Sequence, residues 1–178
     1  VPFSVLPVKF MINYIEQLSE WAGKLAAWMF FTVGFFVTYE VFMRYFFTMP
    51  TIWVDEVSRI LQIWATFLAG GFALKHRQLI VIDVAFRQKD TLSRKLTETF
   101  AILVILTFSI VVVKYGFELW LKALLKGHTT DTFLAPPKWL THGSVWFGFA
   151  LISLQAFAEL YKLWSNEKQT DTITKGVH

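Results

Sequence analysis

The sequence contains no cysteine, which excludes a disulfide framework, a thiolate nucleophile and any cysteine-ligated metal centre. Charge is also scarce. Asp, Glu, Lys and Arg make up 17% of the 178 residues, against about 25% in soluble domains. There is no glycine-rich phosphate loop and no nucleophile–base pair, so phosphoryl transfer and covalent catalysis have no residues to work with. No uncompensated carboxylate falls in the middle of an apolar run, and neither half of the chain repeats the other. Both absences argue against a self-sufficient transporter or small exporter built around a midplane site.

What is present is apolar. Hydrophobic residues make up 55% of the chain and aromatics 18%, including 19 Phe and 8 Trp, and mean hydropathy is +0.49. The charges fall in short clusters between long apolar stretches, the pattern expected when lipid replaces water as solvent. Net charge is +4, but the basic residues flank apolar spans and do not line one face, so nucleic acid is not an expected partner. No small-residue cleavage site follows a short apolar run, so no signal peptide is expected.

These features predict an all-α integral membrane protein with four transmembrane helices, a single domain over residues 1–164 followed by a polar tail at 165–178. Met11, Tyr14, Ile15, Leu18, Trp21, Ala22 and Leu25 recur at helical spacing opposite Asn13, Glu16, Gln17, Glu20 and Lys24, an amphipathic lead-in helix. It runs into a first span at 21–42, closed by Glu40 and Arg44, which are four residues apart and able to pair. Pro50 forces a break, and a second span follows at 52–74 with Asp55, Glu56 and Arg59 in its first turns. The stretch from Lys75 to Lys95 is the most basic of the chain, and its apolar core, Leu79 to Phe86, is too short to span and reads as an interfacial segment. A third span at 96–120 must include Lys114, because the uncharged run from Phe100 to Val113 gives only about 21 Å of helix for a core of about 30 Å. Lys114, Glu118 and Lys122 are placed to neutralise one another at i, i+4 and i+8. Gly127 to Pro137 is a loop, and a fourth span occupies 139–164.

Basic residues set the orientation. With both termini cytoplasmic, the inner side holds eleven Lys and Arg and the outer side only Arg44, Lys126 and Lys138, which satisfies the positive-inside rule. Trp21 and Trp164 then mark the inner interface, and Trp53, Trp120 and Trp139 the outer one.

Candidate chemistry is thin. Four histidines raise an alternative function, a membrane anchor for a redox enzyme that binds haem or quinone. A haem held between helices needs two His at similar depth. His76 lies at the inner end of the second span, His128 and His142 toward the outer side and His178 in the tail, so no cofactor is expected. No His, Asp or Glu cluster has metal-ligand spacing. Glu40, Glu118 and Glu159 lie near span ends beside Arg44, Lys114 and Lys122, and Lys162, as snorkelling interfacial pairs do. Asp55, Glu56 and Arg59 read either as a helix start at headgroup level or as a polar contact with another subunit. The small residues Ala65, Ala69 and Ala73, with Thr66, Gly70 and Gly71, suit close helix packing, within the chain or against a partner.

The run Arg44-Tyr45-Phe46-Phe47, then Trp53-Val54-Asp55-Glu56-Val57-Ser58-Arg59, Trp64, Gly70-Gly71, and Lys75-His76-Arg77 leading into Ile80-Val81-Ile82-Asp83 resembles the small membrane subunit of tripartite ATP-independent periplasmic (TRAP) transporters, the DctQ-like family. Pro137-Lys138-Trp139 and Gly148-Phe149-Ala150-Leu151 resemble that family's entry into its last helix. One residue departs: Leu79 stands where the family usually has His before the Ile-x-Val-Asp run. The resemblance implies a noncatalytic subunit of a sodium-coupled importer in the bacterial inner membrane. A large multi-span subunit would carry the substrate and sodium sites, and a soluble periplasmic protein would deliver the substrate, typically an organic acid. The small subunit would brace the large one and help dock the binding protein. Arg44, Trp53, Asp55, Glu56, Arg59, Trp64, Gly70 and Gly71 are the candidate subunit interface.

Overall fold

The computed structural model describes residues 6–76 and 92–165. The expected interfacial segment from Leu79 to Phe86 and the polar tail after Ser165 lie outside the described residues. Among the described residues there are four helices, α1 (Leu6–Phe46), α2 (Ile52–Lys75), α3 (Leu92–Lys126) and α4 (Lys138–Trp164), each long and apolar enough to cross a membrane. The fold is an all-α membrane protein.

The lead-in and the first span are one continuous helix of 41 residues, about 61 Å at 1.5 Å per residue. No proline interrupts it after Pro7, and one stripe serves both parts. Ile12, Ile15 and Ser19 are buried, and the stripe continues without a phase change through Ala22, Ala26 and Val33. Helix α1 ends where Pro50 forbids continuation and Thr48 takes a positive φ of 54°. Helix α3 is longer at both ends than the span expected at 96–120. Lys114, Glu118 and Lys122 face outward and Glu98 is buried, and the helix runs through all of them, so charge does not end it. At its C-terminus Gly127, at φ 60°, closes a left-handed cap in which the His128 amide donates to the Ala123 carbonyl.

The helices lie in a row, α1–α2–α4–α3. The main contacts are α1 on α2, α2 on α4 and α4 on α3, with a smaller contact between α1 and α4. Ala22 and Ala26 of α1 meet Ala65 and Leu68 of α2 and Leu151 of α4. Leu74 of α2 joins Ile102 of α3 and Ile152, Ala156 and Leu163 of α4. The lead-in part of α1 crosses to α4, where Ile12 and Ile15 pack on Ala158 and Tyr161. Alanine and glycine dominate these seams because lipid supplies no hydrophobic drive for helices to associate, so close backbone approach and dispersion must supply it.

Helices α2 and α4 run in parallel, and their closest approach is at Gly148. A Cβ there would lie 2.5 Å from the Phe67 Cβ and 2.8 Å from the Phe67 carbonyl oxygen, and backbone cannot yield as a flexible side-chain tip does. At Gly34, on the open side of α1, a Cβ would meet nothing within 4 Å. Gly148→Ala is therefore expected to destabilise the detergent-solubilised chain by about 1–3 kcal/mol. Gly34→Ala should be neutral or mildly stabilising through helix propensity. Melting followed by tryptophan fluorescence checks this; equal shifts for the two variants would refute the close approach.

Candidate subunit interface

The loops 47–51 and 127–137 share one end of the row, and the start of α1 and the end of α4 share the other. At the loop end, Glu40 is placed one turn before Arg44 and accepts from its Nη2 at 2.6 Å and its Nε at 3.2 Å. The other carboxylate oxygen reaches the first residue before α2, accepting from the Thr51 amide at 2.8 Å and from the Thr51 hydroxyl. Thr51 makes no side-chain cap of its own, so Glu40 supplies the negative end that the start of α2 favours. The pairing of Glu40 with Arg44 is as the spacing suggested, and the tie to α2 is an addition.

Glu56 is buried at 8% exposure and is turned toward the α3–α4 loop. It accepts from the Thr132 hydroxyl at 3.0 Å and from the Leu134 amide at 3.1 and 3.2 Å. That loop is a small hairpin. The Thr130 amide donates to the Pro136 carbonyl at 3.0 Å and the Lys138 amide to the His128 carbonyl at 2.8 Å. Glu56 thus serves its own chain. Trp64 does likewise, donating from Nε1 to the Leu140 carbonyl of α4 at 3.0 Å. A Cβ on Gly70 would press on Ile152, and one on Gly71 would touch Ser19 and Leu151. Trp53 packs edge-on to Phe36 with centroids 5.8 Å apart and tilted against Tyr39 at 6.4 Å, and it remains partly exposed. The residues still facing outward are Arg44, Asp55 and Arg59, the last two joined at 2.6 Å across one helical turn.

The opposite end holds a polar knot whose parts were visible only as scattered charges. Lys75 donates to Glu20 at 2.9 Å and to the Glu16 carbonyl at 3.3 Å. His76 Nε2 lies 2.8 Å from the same Glu20 oxygen, its ring 4.3 Å from that of Phe72. Lys162 pairs with Glu16. Deeper in, the fully buried Ser19 donates to Gln155 at 2.8 Å, and Gln155 to Glu159 at 3.4 Å. The polar face of the lead-in helix is the signal that could have found this knot. Two residues of that face, Glu16 and Glu20, meet α4 and α2, while Asn13, Gln17 and Lys24 are exposed. On α3, Lys114, Glu118 and Lys122 share an exposed face, but no ion pair joins them; the Lys114 ammonium sits 5.6 Å from the Tyr115 ring centroid.

Among the described residues no three His, Asp or Glu groups converge as metal ligands. The comparison with known families decides what this bundle is. The family model described as "Tripartite ATP-independent periplasmic transporters, DctQ component" matches residues 33–166, which takes in α2, α3, α4 and the C-terminal part of α1. The chain belongs to the DctQ family. It is a TRAP transporter component and a multi-pass protein of the bacterial inner membrane. Among curated proteins, this DctQ chain is similar to the sialic acid TRAP transporter permease protein SiaT of Haemophilus influenzae (strain 86-028NP), at 24% identity over 105 residues, 59% of this chain. It spans only 17% of that relative's length.

Because Glu56 holds the α3–α4 hairpin of this DctQ chain, Glu56→Ala should leave the Leu134 amide without its acceptor, at a cost of about 1–3 kcal/mol. Hydrogen exchange at Leu134 is expected to accelerate about tenfold or more, while Glu118→Ala leaves it unchanged. Unaltered protection in Glu56→Ala would show that the hairpin is held by something else.

Proposed function

We propose that this chain is the noncatalytic small membrane subunit of a sodium-coupled, binding-protein-dependent TRAP importer of organic acids, and that it braces the large transport subunit in the bilayer. The family match over residues 33–166 supports the transporter assignment. The observation that carries the bracing role is how the chain spends its polar groups. Glu40, Glu56, Glu20, Lys75 and Gln155 tie helices and loops of the chain to one another, and α1 and α3, at the edges of the row, leave long apolar faces open. That is the economy of a membrane-embedded support.

The partners are a large multi-span subunit and a soluble periplasmic binding protein. The similarity to a protein named for sialic acid supports an acidic organic substrate, with selectivity residing in the partners. The loop end faces the periplasm and the polar knot faces the cytoplasm, consistent with the excess of basic residues around the knot. Of the residues expected at the interface, Arg44, Trp53, Asp55 and Arg59 remain available to it. Glu56, Trp64 and Gly71 contribute from behind by holding α2 in place.

Two measurements test this. Proteoliposomes holding the large subunit and supplied with binding protein should show sodium-driven uptake only when this chain is included. Uptake that is indifferent to its omission, or uptake by this chain alone, would remove the reading. Arg59→Glu puts two carboxylates side by side on the open face of α2 and should lower both recovery of the large subunit on tagged chain and uptake, by about fivefold or more. Glu118→Lys, on the far face of α3, should leave recovery and uptake near wild type.

A further inference from the structure

The three most exposed helix faces of this molecule are not alike. Along α1 the outward ridge is aromatic: Trp28, Phe31, Phe35 and Phe42 are all at least half exposed. Along α3 it is Phe100, Val104, Phe108 and Val111. Both are surfaces that hydrocarbon covers without cost. The open face of α2 is of another kind. Beyond Ile52 and Trp53 at its start, every exposed residue of α2 is polar: Asp55, Arg59, Gln62 and Thr66. From Val54 to Lys75 no large hydrophobic side chain is exposed. The spacing of four, three and four keeps these residues on one face. The same strip runs on toward the other end through the half-buried small residue Ala73.

Depth makes this strip unsuited to lipid. Gln62 lies ten residues from the start of α2 and thirteen from its end, about 15 Å and 20 Å along the axis, which is close to the midplane of a core about 30 Å thick. The Thr66 hydroxyl is satisfied by the Gln62 carbonyl at 2.8 Å, and Asp55 and Arg59 satisfy one another. The Gln62 carboxamide receives no hydrogen bond from any described residue. Its length does not let it snorkel from midplane to either headgroup layer, and lipid tails offer neither donor nor acceptor. A carboxamide in that position is matched by a polar side chain on another helix, and the small Thr66 and Ala73 beyond it let that helix come close.

We infer that the Asp55–Arg59–Gln62–Thr66 strip of α2 is the seam on which a transmembrane helix of the large transport subunit docks, presenting hydrogen-bonding side chains at the depth of Gln62, while α1 and α3 face lipid. This rests on the assembly reading above and narrows it from a patch at one end of the bundle to a line that reaches its centre. Arg59 and Asp55 lie at the mouth of the line, where the two subunits emerge from the bilayer.

The test is photocrosslinking in membranes that make the whole complex, with benzoyl-phenylalanine in place of Gln62, Thr66, Phe31 or Val111, one at a time. Adducts with the large subunit are expected from positions 62 and 66 and not from 31 or 111. In parallel, Gln62→Leu makes the strip more lipid-compatible. It should reduce the large subunit retained on tagged chain roughly 3- to 10-fold, the range for loss of one interhelical hydrogen bond, while the isolated chain melts as wild type does. Adducts only from 31 or 111, an adduct at 62 with a second copy of this chain, or full retention by Gln62→Leu would each overturn the seam and leave the assembly reading standing. Failure of the wild-type chain to retain the large subunit at all would instead overturn the assembly reading, and the seam with it.

Discussion

Hydrocarbon returns no hydrogen bonds, and nearly every polar contact in this protein answers to that fact. A backbone amide or carboxylate left bare in the bilayer costs several kcal/mol, so the chain deploys its few charged groups where backbone runs out of helical partners. Glu40 meets the start of α2. Glu56 meets an amide in the hairpin between α3 and α4. Both are carboxylates from a helix used to satisfy a neighbouring turn, and both stand at the end where the loops 47–51 and 127–137 lie. The opposite end uses side chain against side chain: Glu20 holds Lys75 and His76, and Glu16 holds Lys162. The two ends are therefore locked by different means, one by carboxylate-to-backbone ties and one by ion pairs.

Between those ends, beside the Ser19–Gln155 and Trp64–Leu140 hydrogen bonds, the helices are held by closeness. With no water to expel, packing must come from contact area, and contact area between helices rises as side chains shrink and backbones converge. Gly148 against the Cβ and backbone of Phe67, Gly116 against the Cβ and backbone of Trp146, and Gly23 against the ring of Phe72 follow one pattern, a glycine of one helix letting the next helix approach closely. Aromatic abundance thus has two uses. The rings of Phe72 and Trp120 lie against Gly23 and Gly143, and the rings on the outer side of α1 are exposed. A row of helices needs fewer such notches than a closed ring, and α1 and α3 at its edges are free to keep apolar outer faces.

Much of this was legible in the sequence. Spans could be read from hydropathy because hydrophobic length and the bilayer core are the same physical quantity. The Glu40–Arg44 and Asp55–Arg59 pairs could be read because a spacing of four residues is a local property of a helix. Continuity of α1 was legible in part, since its apolar stripe keeps phase from Ile12 to Val33. What could not be read were contacts between helices far apart in the chain. Glu56 looked like an interface residue because its partner, Leu134, is 78 positions away and contributes only a backbone amide, which has no sequence signature. The same holds for the Ser19–Gln155 bond across 136 positions. Gly70 and Gly71 showed that something packs closely, and only the fold shows Ile152, Leu151 and Ser19 there. Helix α3 runs past the span expected at 96–120 at both ends, because lysine and glutamate are good helix formers and can end a span without ending the helix.

Sorting the interface candidates by what each one touches divides α2 lengthwise. One flank is occupied by its own chain: Trp64 on α4, Ala65 and Leu68 against α1, Phe67 on Gly148. The other flank carries every polar group that own-chain packing does not use. A helix that merely separated protein from lipid would carry Leu, Ile and Phe on that second flank, as α1 and α3 do on theirs. Placing it at an inner position of the row has a mechanical consequence. It meets α1 through the alanine seam and α4 through the glycine notch. Under the proposed bracing role a load taken on its polar flank would be spread over both neighbours, whereas a contact helix at the edge of the row would have only one neighbour to hold it.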